Sequence, residues 1–337
     1  MNMAARILAS VLCSIVVCAA AGAPWRPTAA CAQETYPNRT VQIIVPFAAG
    51  GSNDLCNRLL AEKLREYLGQ PFIVVDKPGA SGAVAISYVT TSRPDGYNIF
   101  AAAGTSAGYL HLTNPSFGYS FRDFLPVAAF ARYPQVIIVS KELPVKNLAD
   151  LAAYIKKNPK ALSYGGVGYG GGDHLAFEMF KAAAGIPQAD VPLIAYNGAA
   201  PTVSAVAGNQ TQIGCLAYSA VIGKQIQAGT VRALAVLSSK RFKFLPAVPT
   251  VVEQGFPDMV IQHYFSHWVP AKTPAAVIKK LEGAVKKATD DKEVREKIER
   301  MEIEVEFLSS SDLEKYAEDQ VATQFGPLIR KLGITIK

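Results

Sequence analysis

The sequence predicts an α/β protein of two lobes, each a mostly parallel sheet covered by helices. Three observations carry this. Short apolar runs alternate with amphipathic segments, the rhythm of parallel strands joined by crossover helices. The rhythm fills two stretches of similar size with no long Gly/Ser linker between them. Glycine-rich segments follow several apolar runs, at the strand ends where open α/β sheets meet their ligands. With 337 residues, 50% apolar and 18% charged, the chain can bury a sizeable core in one large or two moderate domains.

The first 32 residues read as a signal peptide. Arg6 supplies a positive start, an apolar run follows, and Ala30, Cys31 and Ala32 have the small-x-small form of a cleavage site near Ala32. This predicts a mature protein exported from the cytoplasm. An uncleaved anchor is the alternative, and a lipoprotein through Cys31 is disfavoured by Thr28 in the lipobox. Removing Arg6 and Arg26, with no acidic residue, lowers the net charge from +7 to +5.

After the leader, "VQIIVPF" reads as a strand and "NDLCNRLLAEKLREYLG" as a helix, with Leu55, Leu59, Leu60, Leu64 and Leu68 at helical spacing and Gly69 as the stop. "PFIVVDKP", a loop and helix in "GASGAVAISYVTTS", a turn at "PDGY" and a strand at "NIFAAAG" complete a βαβαβ unit. The second stretch brings the strand "QVIIVS", the helix "NLADLAAYIKKN" capped by Asn147, a strand, Gly-rich loop and helix in "LSYGGVGYGGGDHLAFEMFKAAAG", another such unit in "ADVPLIAYNGAAPTVSAVAG", and the strand "TVRALAVLSS". The helices "PAAVIKKLEGAVKKATDDKEVREKIERM" and "SSSDLEKYAEDQVATQFGPLIRKLG" end the chain. Crossings near "PVAAFARYPQVIIV" and "VRALAVLSS" assign 33–131 and 235–337 to one domain and 132–234 to the other. A ligand cleft lies between them, hinged at a few residues.

Four loops are candidates for ligand contact. "PFAAGGSND" offers Phe47, Ala49, Gly50, Gly51, Ser52, Asn53 and Asp54. Its glycines admit close backbone approach, and the following helix brings unpaired N–H groups. Ser52 or Asn53 is the expected cap and Asp54 a first-turn residue. A plain turn with a capped helix would look the same. "KPGASGA", with Ala80, Ser81, Gly82 and Ala83, occupies the equivalent place after the second strand, so the pair would form a double backbone cradle suited to a carboxylate. "GGVGYGGGDH" contributes Gly168, Tyr169, Gly171, Asp173 and His174, with Asp173 as the expected helix cap. Its GxGxxG pattern is a weak dinucleotide signal, since "VPLIAYNG" ends in no acidic residue. In "AYNGAAP", Tyr196 is a pocket wall or a core ring, and Asn197 lies in the turn before a helix begun by Pro201.

No HExxH, P-loop or SxxK motif is present. His111 and His174 are isolated, and His263 and His267 fall in a strand-like context, so neither catalysis nor metal binding is indicated. Cys56 and Cys215 are expected to be free and buried. Basic residues are interspersed with acids, which argues against nucleic acid. No cofactor is expected.

Taken in order, "YPNRTVQIIVPFAAGGSNDLCNRLLAEKL", "VVDKPGASGAVA", "RPDGYNIFAAAGTSAG", "LSYGGVGYGGGDHLAFEMF", "AYNGAAPTVSAVAG" and "WVPAKTPAAVIKKL" resemble the substrate-binding receptors of tripartite tricarboxylate transporters, the Bug-type receptors. The resemblance spans nearly the whole mature chain. It implies a Venus-flytrap periplasmic binding protein, a monomer without enzymatic activity, that closes on a small organic carboxylate and delivers it to membrane permease subunits. It implies that the first two loops hold one carboxylate through backbone N–H groups, small hydroxyls and water. The distal end maps to Gly168–His174, Tyr196, Asn197 and Tyr218.

Two departures bear on the ligand. Ser81 replaces a glycine of the second cradle. Gly171, Gly172 and Asp173 stand where relatives have Thr or Ser before the His. Near Ala217 and Tyr218 this chain also lacks the acid with which some relatives meet an amino group. These features predict an amine-free dicarboxylate, or an aromatic or apolar carboxylate walled by Phe47, Tyr169, Tyr196 and Tyr218. A ligand sensor for a membrane kinase and an exported α/β hydrolase are the competing readings.

Overall fold

Strand β1 (Val41–Val45) is the apolar run that opens the sheet, and it lies between two parallel neighbours, β2 (Phe72–Asp76) and β3 (Asn98–Ala103). Ile43, Ile44 and Val45 are fully buried, as expected for an inner parallel strand covered on both faces. The computed structural model describes residues 36–103, 106–113 and 117–334, without the side chains of residues 81, 103 and 106–109. The expected leader, with Cys31 and the cleavage point near Ala32, lies outside the described residues. By its contacts the chain divides between Tyr36 and Pro37, and every described helix and strand belongs to the unit from Pro37 onward.

Helix α1 (Ser52–Leu68) joins β1 to β2. It turns Cys56, Leu60 and Leu64 inward, each fully buried, and each such leucine contributes about 1.5–3 kcal/mol. A 3-10 turn (Ala80–Gly82) leads into α2 (Ala83–Thr90), and α3 (Ser106–Thr113) follows β3. The long strand β4 (Phe124–Ser140) then runs through both lobes. Beyond it lie α4 (Leu148–Lys157), β5 (Tyr164–Val167), α5 (Gly172–Ala184), β6 (Leu193–Tyr196), α6 (Ala199–Ala207), β7 (Ile213–Ala217), α7 (Ala220–Gln227) and β8 (Val231–Val236). Strand β9 (Gln262–Pro270) returns to the first lobe. Helices α8 (Ala275–Asp290), α9 (Lys292–Arg300), α10 (Ser310–Gln320) and α11 (Gly326–Leu332) finish the chain, with a π turn at Val321–Phe325 between the last two.

The strand order is β2-β1-β3-β9-β4-β7-β5-β6, with β8 paired to β4 off this path. Pairing is parallel within the βαβ units, β1 with β2 and β3, and β5 with β6 and β7. It is antiparallel wherever β4, β8 or β9 takes part. The sheet is therefore more mixed than the sequence rhythm implies. The strands linking the lobes turn back on each other rather than following a crossover helix. Along β4 the partner changes at one point: Pro134 still pairs with Gln262 of β9, while Gln135 already pairs with Ala217 of β7.

Asn147 caps α4 as its sequence suggests, its Oδ1 accepting the Asp150 N–H at 2.7 Å. The expected single C-terminal helix is broken at Asp291, whose carboxylate caps α9 by accepting the Glu293 and Val294 N–H groups. A side chain that competes for backbone donors in this way ends a helix. Cys56 and Cys215 are free and buried, and burial drives both thiols well above their usual range.

Candidate ligand site

Val45 and Asp76, the last residues of β1 and β2, lie in register, so the loops that follow emerge side by side. They touch. A Cβ on Gly82 would come within 3.2 Å of Pro46 Cβ. Gly82 has φ +104 and Gly50 φ +83, while Ala80 is held at φ 46, a strained value for a residue with a Cβ and one that clusters at ligand sites. Both helices that leave these loops start without a side-chain cap. The N-cap of α1 is Gly51 and that of α2 is Gly82. The first-turn N–H groups of the two helices are thus not capped by side chains, and they carry the positive ends of two helix dipoles.

This corrects the expected cap at Ser52 or Asn53. Gly51 is extended, which puts Ser52 inside the first turn. Asn53 is buried and donates through Nδ2 to Ala101 O at 3.0 Å, supporting the loop from behind. The support continues inward: Asn57 Nδ2 donates to Asn53 Oδ1 at 2.8 Å, and His267 Nε2 donates to Asn57 Oδ1 at 2.6 Å. Burial pushes the His267 imidazole down to about 3, so it stays neutral. Asp54 sits in the first turn. Its Oδ2 accepts the Gly50 N–H at 2.8 Å, and Arg58 Nε lies 2.7 Å from its Oδ1. Arg58 also reaches Asp76 at 3.2 Å. Ala49, Gly50, Gly51 and Ala80 are exposed, Phe47 and Ser52 are half-buried, and Gly82 and Ala83 are buried. The backbone of Ser81 lies in the 3-10 turn.

In the second lobe β5 ends beside β6, Val167 in register with Tyr196, so the Gly168–His174 loop and the Tyr196–Asn197 turn share one edge. The N-cap of α5 is Gly171, which is extended. Asp173 is therefore not the cap. It lies in the first turn with its carboxylate reaching back and across. Oδ2 accepts the Val167 N–H at 3.0 Å, and Oδ1 accepts Gln135 Nε2 at 2.8 Å and the Ala217 N–H at 3.2 Å. It is 7% exposed and makes no ion pair among the described residues. Burial pushes its carboxyl up to about 6, against the pull of the three donors.

His174 Nδ1 accepts the Gly170 N–H at 2.9 Å, and its Nε2 lies 3.6 Å from Glu178 Oε1. Tyr169 is 52% exposed and rests edge-on against His174, and its hydroxyl donates to Leu193 O at 3.0 Å. Tyr196 is half-buried and Asn197 exposed, while Gly168 and Gly171 are half-buried. The side chain of Tyr218 turns away from this edge. Its ring packs against Phe242 in an apolar cluster, and its hydroxyl donates to Glu302. The expectation that no acid stands near Ala217 and Tyr218 is also corrected, since Asp173 meets the first and Glu302 the second from distant parts of the chain. Gln135 was missed. Its one signal was an amide opening the otherwise apolar run "QVIIV".

The two-lobed α/β fold, with paired strand-end loops in each lobe, is that of the periplasmic solute-binding proteins. The family model described as the tripartite tricarboxylate transporter family receptor, TctC, matches residues 56–334, and the chain belongs to that family. Its members are substrate-binding receptors, not enzymes. A UPF0065 protein of Bordetella pertussis is 32% identical over 303 residues, covering 89% of this chain and 92% of the relative. Among solved structures, R. palustris Rpa4515 with adipate aligns at TM-score 0.78 and 30% identity over 89% of this chain and 99% of its own. The periplasmic binding protein BugD aligns at 0.76 and 31% over 90% and 100%. Among the described residues no helix is long and apolar enough to cross a membrane.

Proposed function

We propose that the chain is exported to the periplasm by a cleavable leader ending near Ala32 and acts there as a monomer. It captures a small organic carboxylate and passes it to the permease subunits of a tripartite transporter. One carboxylate of the ligand lies against the first-lobe loops, where Gly51–Asn53 and the backbone of Ala80 and Ser81 supply N–H donors. Phe47, Tyr169 and Tyr196 wall the ligand. Closure brings the second lobe over it by a bend of β4 near Pro134 and Gln135, and the ligand stabilises the closed form by its differential affinity.

The observation that carries this reading is the contact of two glycine-bearing loops at adjacent parallel strand ends, each leading into a helix with no side-chain cap. A carboxylate accepts several N–H bonds at once, and such bonds are worth about 1.5–3 kcal/mol each. The adipate in Rpa4515 is a ligand of the same chemical class. Thermal-shift and calorimetric screening of small carboxylates against the wild type and Gly82→Val tests it. The variant forces a branched side chain at φ +104 against Pro46, so it should fold and lose binding. Equal binding by both proteins would refute the cradle.

A further inference from the structure

We infer that the end of the ligand lying against the second lobe presents an uncharged or cationic hydrogen-bond donor to Asp173 and Gln135, and that a second carboxylate is selected against there. The inference rests on the reading of the chain as a carboxylate receptor and names the chemistry of the ligand's other end.

Asp173 stands at the carboxyl ends of β5 and β7, held by N–H groups from each, Val167 and Ala217. The second-lobe edge therefore carries a built-in carboxylate that already takes backbone donors a ligand carboxylate would seek. The N-termini of α5, α6 and α7 lie at this edge as well and by themselves would favour an anion. Asp173 answers that field from within the protein. Among the described residues no cation pairs with it. Lys181, the basic residue of the same helix, is 2% exposed and committed to Glu178 at 2.6 Å and to the carbonyls of Gln188 and Val191. His174 turns its Nδ1 lone pair to the Gly170 N–H. Two carboxylates sharing such a site repel strongly, and one of them must take up a proton. A carboxyl that burial has already pushed up to about 6 has little margin for a second negative neighbour.

The second observation is independent of charge. Gln135 is 1% exposed, and its Nε2 is fixed on Asp173, which leaves Oε1 buried without a protein partner. An amide oxygen and a carboxylate are both acceptors, and buried acceptors are normally matched by a donor. A hydroxyl, amide N–H or ammonium satisfies this set. A carboxylate does not.

The test uses straight-chain carboxylates of three to eight carbons in four matched series: unsubstituted, ω-hydroxy, ω-amino and ω-carboxy. Each is titrated calorimetrically into the wild type, Asp173→Asn and Gln135→Met. The expected result is that the tightest wild-type ligand is an ω-hydroxy or ω-amino acid, bound about 10-fold or more tightly than the diacid of equal length. Asp173→Asn should shrink that ratio about 10-fold. Gln135→Met, which keeps the packing of β4, should weaken the donor-bearing ligands while leaving the unsubstituted acids unchanged. A diacid that binds the wild type as tightly as its hydroxy and amino counterparts overturns the inference and leaves the receptor reading standing. So does a ratio that neither variant moves. If no acid of any series binds the wild type, the carboxylate-receptor reading fails, and this inference with it.

Discussion

Each lobe places an aspartate in the first turn of the helix that follows its Gly-rich loop, and the two are wired differently. Asp54 takes the Gly50 N–H and is met by Arg58, which is 49% exposed and also reaches Asp76. Asp173 takes two backbone N–H groups and the Gln135 amide, and no ion pair offsets it among the described residues. The first acid is neutralised, so its edge keeps the positive character of two uncapped helices and suits an anion. The second leaves its edge negative and rich in acceptors. The same residue at the same kind of position thus serves opposite ends of a ligand, because one has a guanidinium beside it and the other has only neutral donors.

The largest effect expected from breaking this arrangement is in the first lobe. Gly82→Val should lower affinity for the best carboxylate about 100-fold, equivalent to about 3 kcal/mol or one to two charge-assisted hydrogen bonds. In the second lobe, Asp173→Ala leaves three buried donors unmatched and should cost about 2–3 kcal/mol in chemical denaturation. A loss below about 0.5 kcal/mol would mean that those donors find water instead.

Acid should act mainly through the strand behind the first lobe. Burial lowers His263 to about 4 and His267 to about 3 from the ordinary 6.5. The unfolded chain takes up these protons near 6.5 while the folded chain resists them, so stability is lost as pH falls below about 6.5. The loss should reach about 2 kcal/mol for each histidine by pH 5. Asp173 acts in the opposite sense, since the folded chain keeps its proton up to about 6 and the unfolded chain only to 3.8, but it is one group against two. Melting temperatures from pH 7.5 to 5 should fall for the wild type and fall less for His263→Phe, whose ring fits beside Tyr133 without titrating. The smallest effect sharpens the comparison most. Arg58→Met should cost less than about 1 kcal/mol of stability, because the arginine is half exposed. It should still weaken carboxylate binding several-fold, by leaving Asp54 as uncompensated as Asp173.

Much of the first lobe was legible in the sequence. Two apolar runs followed by Gly-rich segments gave β1, β2 and their loops, because parallel strands in register place equivalent loops side by side. The caps were read less well. Ser52, Asn53 and Asp173 are residue types that favour N-caps, yet Gly51 and Gly171 hold the cap positions and the polar side chains turn inward to long-range partners. Such partners leave no trace in local pattern. Gln135 lies 38 residues from Asp173, and Glu302 lies 84 from Tyr218. For the same reason an acid beside Ala217 could not be found by looking near Ala217. The break at Asp291 was a local signal that helical periodicity on either side concealed.

The most direct test of the central claim, that the first-lobe loops grip a carboxylate through their backbone, is a thermal-shift comparison of wild type and Gly82→Val against a panel of small carboxylates. The account predicts that at least one acid raises the melting temperature of the wild type by several degrees and leaves the folded variant unmoved. Equal shifts in both proteins, or none in the wild type, would contradict it.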